Sequence, residues 1–162
     1  MNRWFYTQLW RIAPPLIRHY LKKRAVKSPA YLYHWGERFG EPFDRPVQRP
    51  IWVHAVSVGE TRAAQPLVEA LRRHFPDAPL LMTQMTPTGR AAAKELFPDA
   101  QCRYLPYDKP EWVAQFLKEH RPLFGVLMET EIWPNLMHAC ADAHVPLFLA
   151  NARLSEKSDR KS

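Results

Sequence analysis

From residue 51 onward, short apolar runs alternate with stretches of helical periodicity. The runs lie at about 51–56, 80–85, 101–105, 123–128 and 146–150, and helical patterns fill about 60–74, 87–97, 110–119 and 133–143. Strands that alternate with helices of this length predict βαβ units and an α/β fold built on a parallel sheet flanked by helices. The segments I-W-V-H-A-V and L-F-G-V-L-M are almost unbroken in their apolar character, as strands covered on both faces should be.

The first 50 residues follow a different pattern. Residues 1–27 mix Trp4, Phe5, Tyr6, Leu9, Trp10, Ile12, Leu16, Ile17, Tyr20 and Leu21 with seven basic residues and no acid. Arg11 and the Pro14-Pro15 pair interrupt the apolar run. It falls short of the ~20 mainly apolar residues of a spanning helix, and it lacks the cleavage site of a secretory signal. Aromatics interleaved with cations predict a segment that lies on an anionic membrane surface; the alternative is a terminal helix docked on its own domain. Residues 28–50 carry several prolines and glycines around Tyr31, Tyr33, Trp35 and Phe39 and predict an irregular connector with aromatic anchors. The domain proper is then 51–162.

Polar signals follow every predicted strand. S-V-G-E follows the first, T-P-T-G (86–89) the second, P-Y-D-K-P (106–110) the third, E-T-E-I-W-P-N (129–135) the fourth and N-A-R-L-S (151–155) the fifth. All strands of a parallel sheet end on one edge, so these loops are expected to converge there, where open α/β sheets bind ligands. Glu60, Thr86, Asp108, Glu131 and Asn151 should share that edge. Glu60 has two readings. It opens a helix, where a carboxylate favours the macrodipole, and it stands where a catalytic carboxylate would stand. Helix capping accounts poorly for Glu131, Trp133 and Arg153.

Composition and charge narrow the function. The net charge of +7 resides wholly in residues 1–27, because the remaining 135 residues hold 16 basic and 16 acidic side chains. A nucleic-acid binder would carry its cations on the folded face, so nucleic acid is not expected as a partner. Cys102 and Cys140 are far apart and form no disulfide framework. The usual dinucleotide, P-loop, zincin and nucleophile-elbow signatures are absent. His138, Cys140 and His144 have no recognised ligand spacing, and no metal site is expected.

The motifs W-G-E-R-F-G (35–40), H-A-V-S-V-G-E-T (54–61), T-P-T-G-R (86–90), Y-L-P-Y-D (104–108), E-T-E-I-W-P-N (129–135) and N-A-R-L-S-E-K-S (151–158) together resemble the Kdo transferases, the 3-deoxy-D-manno-octulosonic acid transferases of lipopolysaccharide synthesis. The resemblance is collinear and spans nearly the whole chain. It implies a Rossmann-like domain that forms the N-terminal, acceptor-binding half of a GT-B glycosyltransferase, with an amphipathic membrane-anchor helix in front. It further implies an inverting, metal-independent transfer of Kdo from CMP-Kdo to the lipid A precursor, lipid IVA, at the cytoplasmic face of the inner membrane. CMP-Kdo would be held mainly by a C-terminal domain outside this chain, so the isolated chain is expected to be inactive. The alternative is a non-catalytic, membrane-associated binding domain of Rossmann type. By similarity Glu60 is the catalytic base. Ser57, Gly59, Thr86, Gly89, Arg90, Glu129, Glu131, Asn135, Asn151 and Arg153 are the expected substrate-binding set. Within it, Glu129 and Glu131 either orient sugar hydroxyls or position Arg153, and Arg90 either meets a phosphate or is ordinary surface charge.

Overall fold

The computed structural model describes residues 3–129 and 132–150. Five parallel strands, β1 (Ile51–His54), β2 (Leu80–Gln84), β3 (Gln101–Tyr104), β4 (Phe124–Met128) and β5 (Leu147–Ala150), form one sheet in the order β3-β2-β1-β4-β5. Each lies within a predicted apolar run. Five helices connect the strands: α3 (Val58–Ala63), α4 (Gln65–His74), α5 (Pro87–Leu96), α6 (Pro110–His120) and α7 (Pro134–Asp142). The helix expected at 60–74 is thus two helices. Pro66 has no N–H to give to the carbonyl of Arg62, so the ladder is broken and restarts as α4 with proline in its first turn.

Both faces of the sheet are covered. Val53, Met82 and Val126 pack beneath Val68 of α4, Ala93 of α5 and Phe97 just after it. On the other face Trp52, Leu81 and Leu127 pack against Phe116, Leu117, Leu136 and Cys140 of α6 and α7. Trp52, fully buried, lies over Gly125, where a Cβ would come within 2.5 Å of the indole ring and 2.8 Å of Leu147. Its indole N–H donates to Thr83 Oγ1 at 2.8 Å.

The N-terminal segment is a single helix, α1 (Arg3–Ala25), which runs through Pro14 and Pro15. The prolines remove two helical hydrogen bonds, and packing on both sides of them offsets the loss. Before them, Trp10 stacks on Tyr107 (centroids 6.2 Å apart) and Thr7 Oγ1 donates to Asn135 Oδ1 at 2.9 Å. After them, Leu21 and Ala25 are buried with Tyr31 and Phe39. The docked-helix reading therefore holds for one face of α1. The opposite face leaves Trp4, Phe5, Leu9, Ile12, Leu16 and Tyr20 exposed. Among the described residues no helix is long and apolar enough to cross a membrane.

The connector is more ordered than its composition suggests. It contains a 3-10 turn (Pro29–Leu32) and the single-turn helix α2 (Trp35–Arg38). Tyr31 and Phe39 are anchors, whereas Tyr33 is exposed. Its second half is held to β3 and α6 by polar contacts. Val47 N–H donates to Gln101 Oε1 (2.9 Å), Phe43 N–H to Glu119 Oε1 (3.0 Å), and His120 Nδ1 meets Val47 O (2.9 Å). Arg103, buried in β3, bonds Glu119 at 2.9 Å and His120 Nε2 at 3.0 Å.

Among the described residues β5 ends the sheet on one side and is thinly covered. Phe148 and Leu149 are exposed on its two faces, and Phe148, Phe124 and Phe75 form a half-open row of rings.

Two measurements check this core. Replacing Gly125 by Ala forces a methyl into the Trp52 ring, and overpacking of this kind costs ~1–3 kcal/mol; urea unfolding of the G125A variant should show that loss, and unchanged stability would mean that Trp52 is not packed as described. The second measurement concerns acid. Burial pushes both His54 and His120 down from the ordinary 6.5 to about 4. Both groups are therefore neutral when folded and protonated when unfolded between those values. Stability is full above pH 6.5 and is lost as pH falls toward 4, by at most about 3 kcal/mol for each histidine. Asp108, whose carboxyl burial holds above its usual range, acts in the opposite sense at the acid end. Urea midpoints between pH 7.5 and 4.5 should fall steeply; a flat profile would contradict two buried neutral imidazoles.

Candidate functional site

The chain leaves β1 toward β2 and β3 on one side and returns to β4 and β5 on the other. The boundary between β1 and β4 is therefore the topological switch point, and the loops after these two strands open the crevice in which such folds bind ligands. Ser57, Gly59 and Glu60 follow β1 and lie at the centre of this rim. Glu129 follows β4 beside them, with its N–H bonded to Ala150 O (2.8 Å) and its backbone in the left-handed region (φ 59°). A non-glycine residue in that conformation is held there by its surroundings, and such residues cluster at functional sites.

Glu60 is bonded as a helix cap. Ser57 is the N-cap of α3 and accepts from Glu60 N–H at 3.5 Å. The Glu60 carboxylate reaches back to accept from Val56 N–H (2.8 Å) and from Ser57 Oγ (3.1 Å). This is close to the reciprocal capping box. A carboxylate offers about four lone-pair sites, and these bonds engage both of its oxygens. Gly59 beside it is exposed, and a Cβ there would meet nothing nearer than Ser57 Oγ at 3.9 Å. Packing does not require glycine at this position, and its absent side chain keeps the rim open next to Glu60.

Thr86 is the N-cap of α5. Its Oγ1 accepts from Gly89 N–H (3.0 Å) and donates to Val56 O (3.2 Å), tying this loop to the Glu60 loop. Gly89 is required by packing: a Cβ would lie 2.8 Å from Thr86 Oγ1 and 3.1 Å from Val56 O. Gly89 thus joins two rim loops. Arg90 is neither surface charge nor an available anion partner. It is buried, forms a two-pronged ion pair with Glu37, and lies 4.8 Å over the Tyr104 ring. A phosphate would have to displace Glu37.

Glu37 and Arg38 belong to the W-G-E-R-F-G motif, and their roles were not evident in the sequence. Glu37 also accepts from Tyr104 N–H (2.8 Å). Arg38 is fully buried, stacks 3.6 Å over Tyr104, and donates to Met85 O at 2.8 Å, just before Thr86. Together they fix the loop after β2. No local periodicity marks such a role; the pairing of an E-R dipeptide with an arginine 53 residues away is a tertiary fact.

Asp108 also acts across the fold. Trp133, the N-cap of α7, supplies no side-chain cap bond. Asp108 supplies it instead, accepting from Asn135 N–H (3.0 Å) and Leu136 N–H (2.7 Å). Asn135 was expected to bind substrate. It is buried, donates from Nδ2 to Asp108 O (2.7 Å) and accepts from Thr7. Its amide is therefore a joint between α1, α7 and the loop after β3. Trp133 packs edge-on against the buried His54 ring, 5.7 Å between centroids. Glu60, Thr86, Asp108 and Glu129 share the carboxyl edge of the sheet. Glu131, Asn151 and Arg153 lie outside the described residues. Among the described residues no three His, Cys, Asp or Glu side chains are grouped to hold a metal ion.

Comparison with known proteins identifies the family. The family described as 3-deoxy-D-manno-octulosonic-acid transferase (kdotransferase) matches residues 33–162. A 3-deoxy-D-manno-octulosonic acid transferase of Haemophilus influenzae is 40% identical over 161 residues, covering 98% of this chain and 38% of the relative. One from Bordetella pertussis is 42% identical, covering all of this chain and 40% of the relative. A probable mitochondrial 3-deoxy-D-manno-octulosonic acid transferase of Arabidopsis thaliana is 36% identical over 149 residues, covering 91% of this chain and 33% of the relative. The chain thus spans about two fifths of the length of these bacterial relatives. Its fold, its ordered motifs and these matches agree that the chain belongs to the Kdo transferase family.

Proposed function

We propose that this chain is the acceptor-binding part of an inverting Kdo transferase of the GT-B kind, acting on the lipid A precursor lipid IVA with CMP-Kdo as donor. The observation that carries the reading is the position of Glu60. It is a carboxylate at the switch point of the sheet, beside a glycine that packing does not need. In the reaction Glu60 takes the proton of the acceptor hydroxyl. The hydroxyl oxygen attacks the anomeric carbon of Kdo from the face opposite the nucleotide. The bond to the phosphate breaks, and CMP departs with its electron pair. No step requires a metal. Ser57 holds the Glu60 carboxylate by its hydroxyl, and Thr86 holds the neighbouring loop. Glu129 and Glu131 orient sugar hydroxyls, and Asn151 and Arg153 complete the set, with Arg153 facing phosphate. CMP-Kdo is bound mainly by the part of the relatives that this chain does not span.

The capping bonds of Glu60 favour a second reading, in which the carboxylate serves stability and the domain only binds. One substitution separates the two. Glu60→Gln keeps an oxygen for Val56 N–H but removes the base. In a complete enzyme carrying this domain the initial rate should fall by ~10²–10⁴-fold with little change in melting temperature. Near-normal turnover would favour the capping role, because glutamine can also complete a capping box.

The domain works at the cytoplasmic face of the inner membrane, with the outer face of α1 on the bilayer surface. The exposed apolar residues of that face run from Trp4 to Tyr20, and Lys22, Lys23 and Arg24 close the helix. Each cation near an anionic surface is worth ~1 kcal/mol. Deleting α1 would also uncover Tyr31 and Phe39, so substitution is the cleaner test. Leu9→Gln, Ile12→Gln and Leu16→Gln together should abolish sedimentation with phosphatidylglycerol vesicles while the melting temperature is kept. A triple variant that still sediments with vesicles would dismiss α1 as the contact.

A further inference from the structure

The rim is not the only concave surface. A groove of about 820 Å³ runs between α6 and α7, within the ~300–1,000 Å³ range typical of ligand sites. Ala114 and Leu117 of α6 form one apolar wall, Ala139 of α7 the other, and Leu123 and Val145 line its lower end. That end lies at the amino edge of the sheet, away from Glu60, because Arg49 precedes β1 and Arg121 precedes β4.

The charges around this groove are uneven. Arg49, Lys118 and Arg121 stand at its lower end and Arg3 on its wall. Among the described residues none of the four pairs with a carboxylate; Arg121 bonds only the neutral Gln48 amide at 3.0 Å. The one lining acid, Asp142, is paired with His138 at 3.4 Å. Cations at helix C-termini can simply answer the macrodipole, and this covers Lys118 and Arg121 at the end of α6. It does not cover Arg49, which lies on no helix, or Arg3, which stands in the first turn of α1 where a cation is disfavoured. Arg49 and Arg121 moreover adopt left-handed backbone (φ 51° and 48°), a conformation in which glycine is usual.

We infer that this groove binds one anionic phospholipid of the bilayer, an acyl chain lying along Ala114, Leu117 and Ala139 and the phosphate meeting Arg49 and Arg121. An apolar trough with unpaired cations at its end matches an anionic amphiphile better than a neutral or a wholly polar ligand. The choice of a bilayer lipid rests on the membrane-surface reading, since Arg3 belongs to the helix whose outer face carries Trp4, Phe5 and Leu9.

Dihexanoyl phosphatidylglycerol, kept monomeric below its micelle concentration, tests the groove independently of vesicles. Titrated into the full chain and followed by methyl resonances, it should bind saturably and shift Ala114, Leu117 and Ala139. Ala114 is exposed, so Ala114→Phe fills the trough without entering the core and should weaken binding at least tenfold. Arg49→Glu with Arg121→Glu should do the same, which keeps the test decisive if the first variant does not fold. Dihexanoyl phosphatidylcholine should bind at least tenfold more weakly. Equal binding of both lipids, or affinity untouched by either variant, overturns the proposal. So does vesicle sedimentation without any saturable lipid site, which leaves the α1 reading intact. Saturable lipid binding without vesicle sedimentation keeps the groove and removes that reading. Displacement of the lipid by an acidic amphipathic peptide at lower concentration would assign the groove to a protein partner and overturn the lipid assignment.

Discussion

A parallel sheet has to be covered on both faces, and most of this molecule follows from that constraint. Parallel neighbours cannot be joined by tight turns, so each connection becomes a crossover that carries a helix to one face. The crossovers return every strand in the same direction and place every strand end on one edge. Two strands lie on one side of β1 and two on the other, which opens the crevice at the middle of that edge. The closeness of Trp52 to Gly125 shows how tightly the cover fits at the same central position.

Most rim side chains have a structural task before they have a chemical one. Ser57 and Glu60 cap α3, Thr86 caps α5, and Asp108 caps α7 from a different loop. This shared use has a physical basis. Helix N-termini present unsatisfied N–H groups, and the side chains that satisfy them are the small polar and acidic ones that also handle sugars and protons. Gly59 and Glu129 differ: the fold does not require a bare Cα at the first, and it holds a side-chain-bearing residue in an uncommon conformation at the second.

The periodicity of the sequence carried the strands and most helices, because burial on one or two faces writes itself into nearest neighbours. It located the rim for the same reason, through the polar turn after each strand. It did not carry the partners of Arg90 and Asn135. Arg90 finds Glu37 53 residues away, and Asn135 finds Thr7 128 residues away; neither pairing leaves a local pattern. Proline acts in two directions. Pro66 divides a helix whose apolar spacing is continuous, whereas Pro14 and Pro15 sit inside a helix that tertiary contacts hold together. The same residue type gives opposite outcomes because the second helix is clamped on both sides of its break.

The half-open row of Phe75, Phe124 and Phe148, with Leu149 on the other face of β5, bears on how the protein behaves at high concentration. Among the described residues β5 has a strand neighbour on one side only, and a strand so placed with exposed apolar side chains is a template for another strand. Pairing of β5 with a further strand would shield these rings from water. Because β5 is two strands from β1, such pairing would leave the rim accessible. Colloidal behaviour and chemistry are thus set by different strands of one sheet.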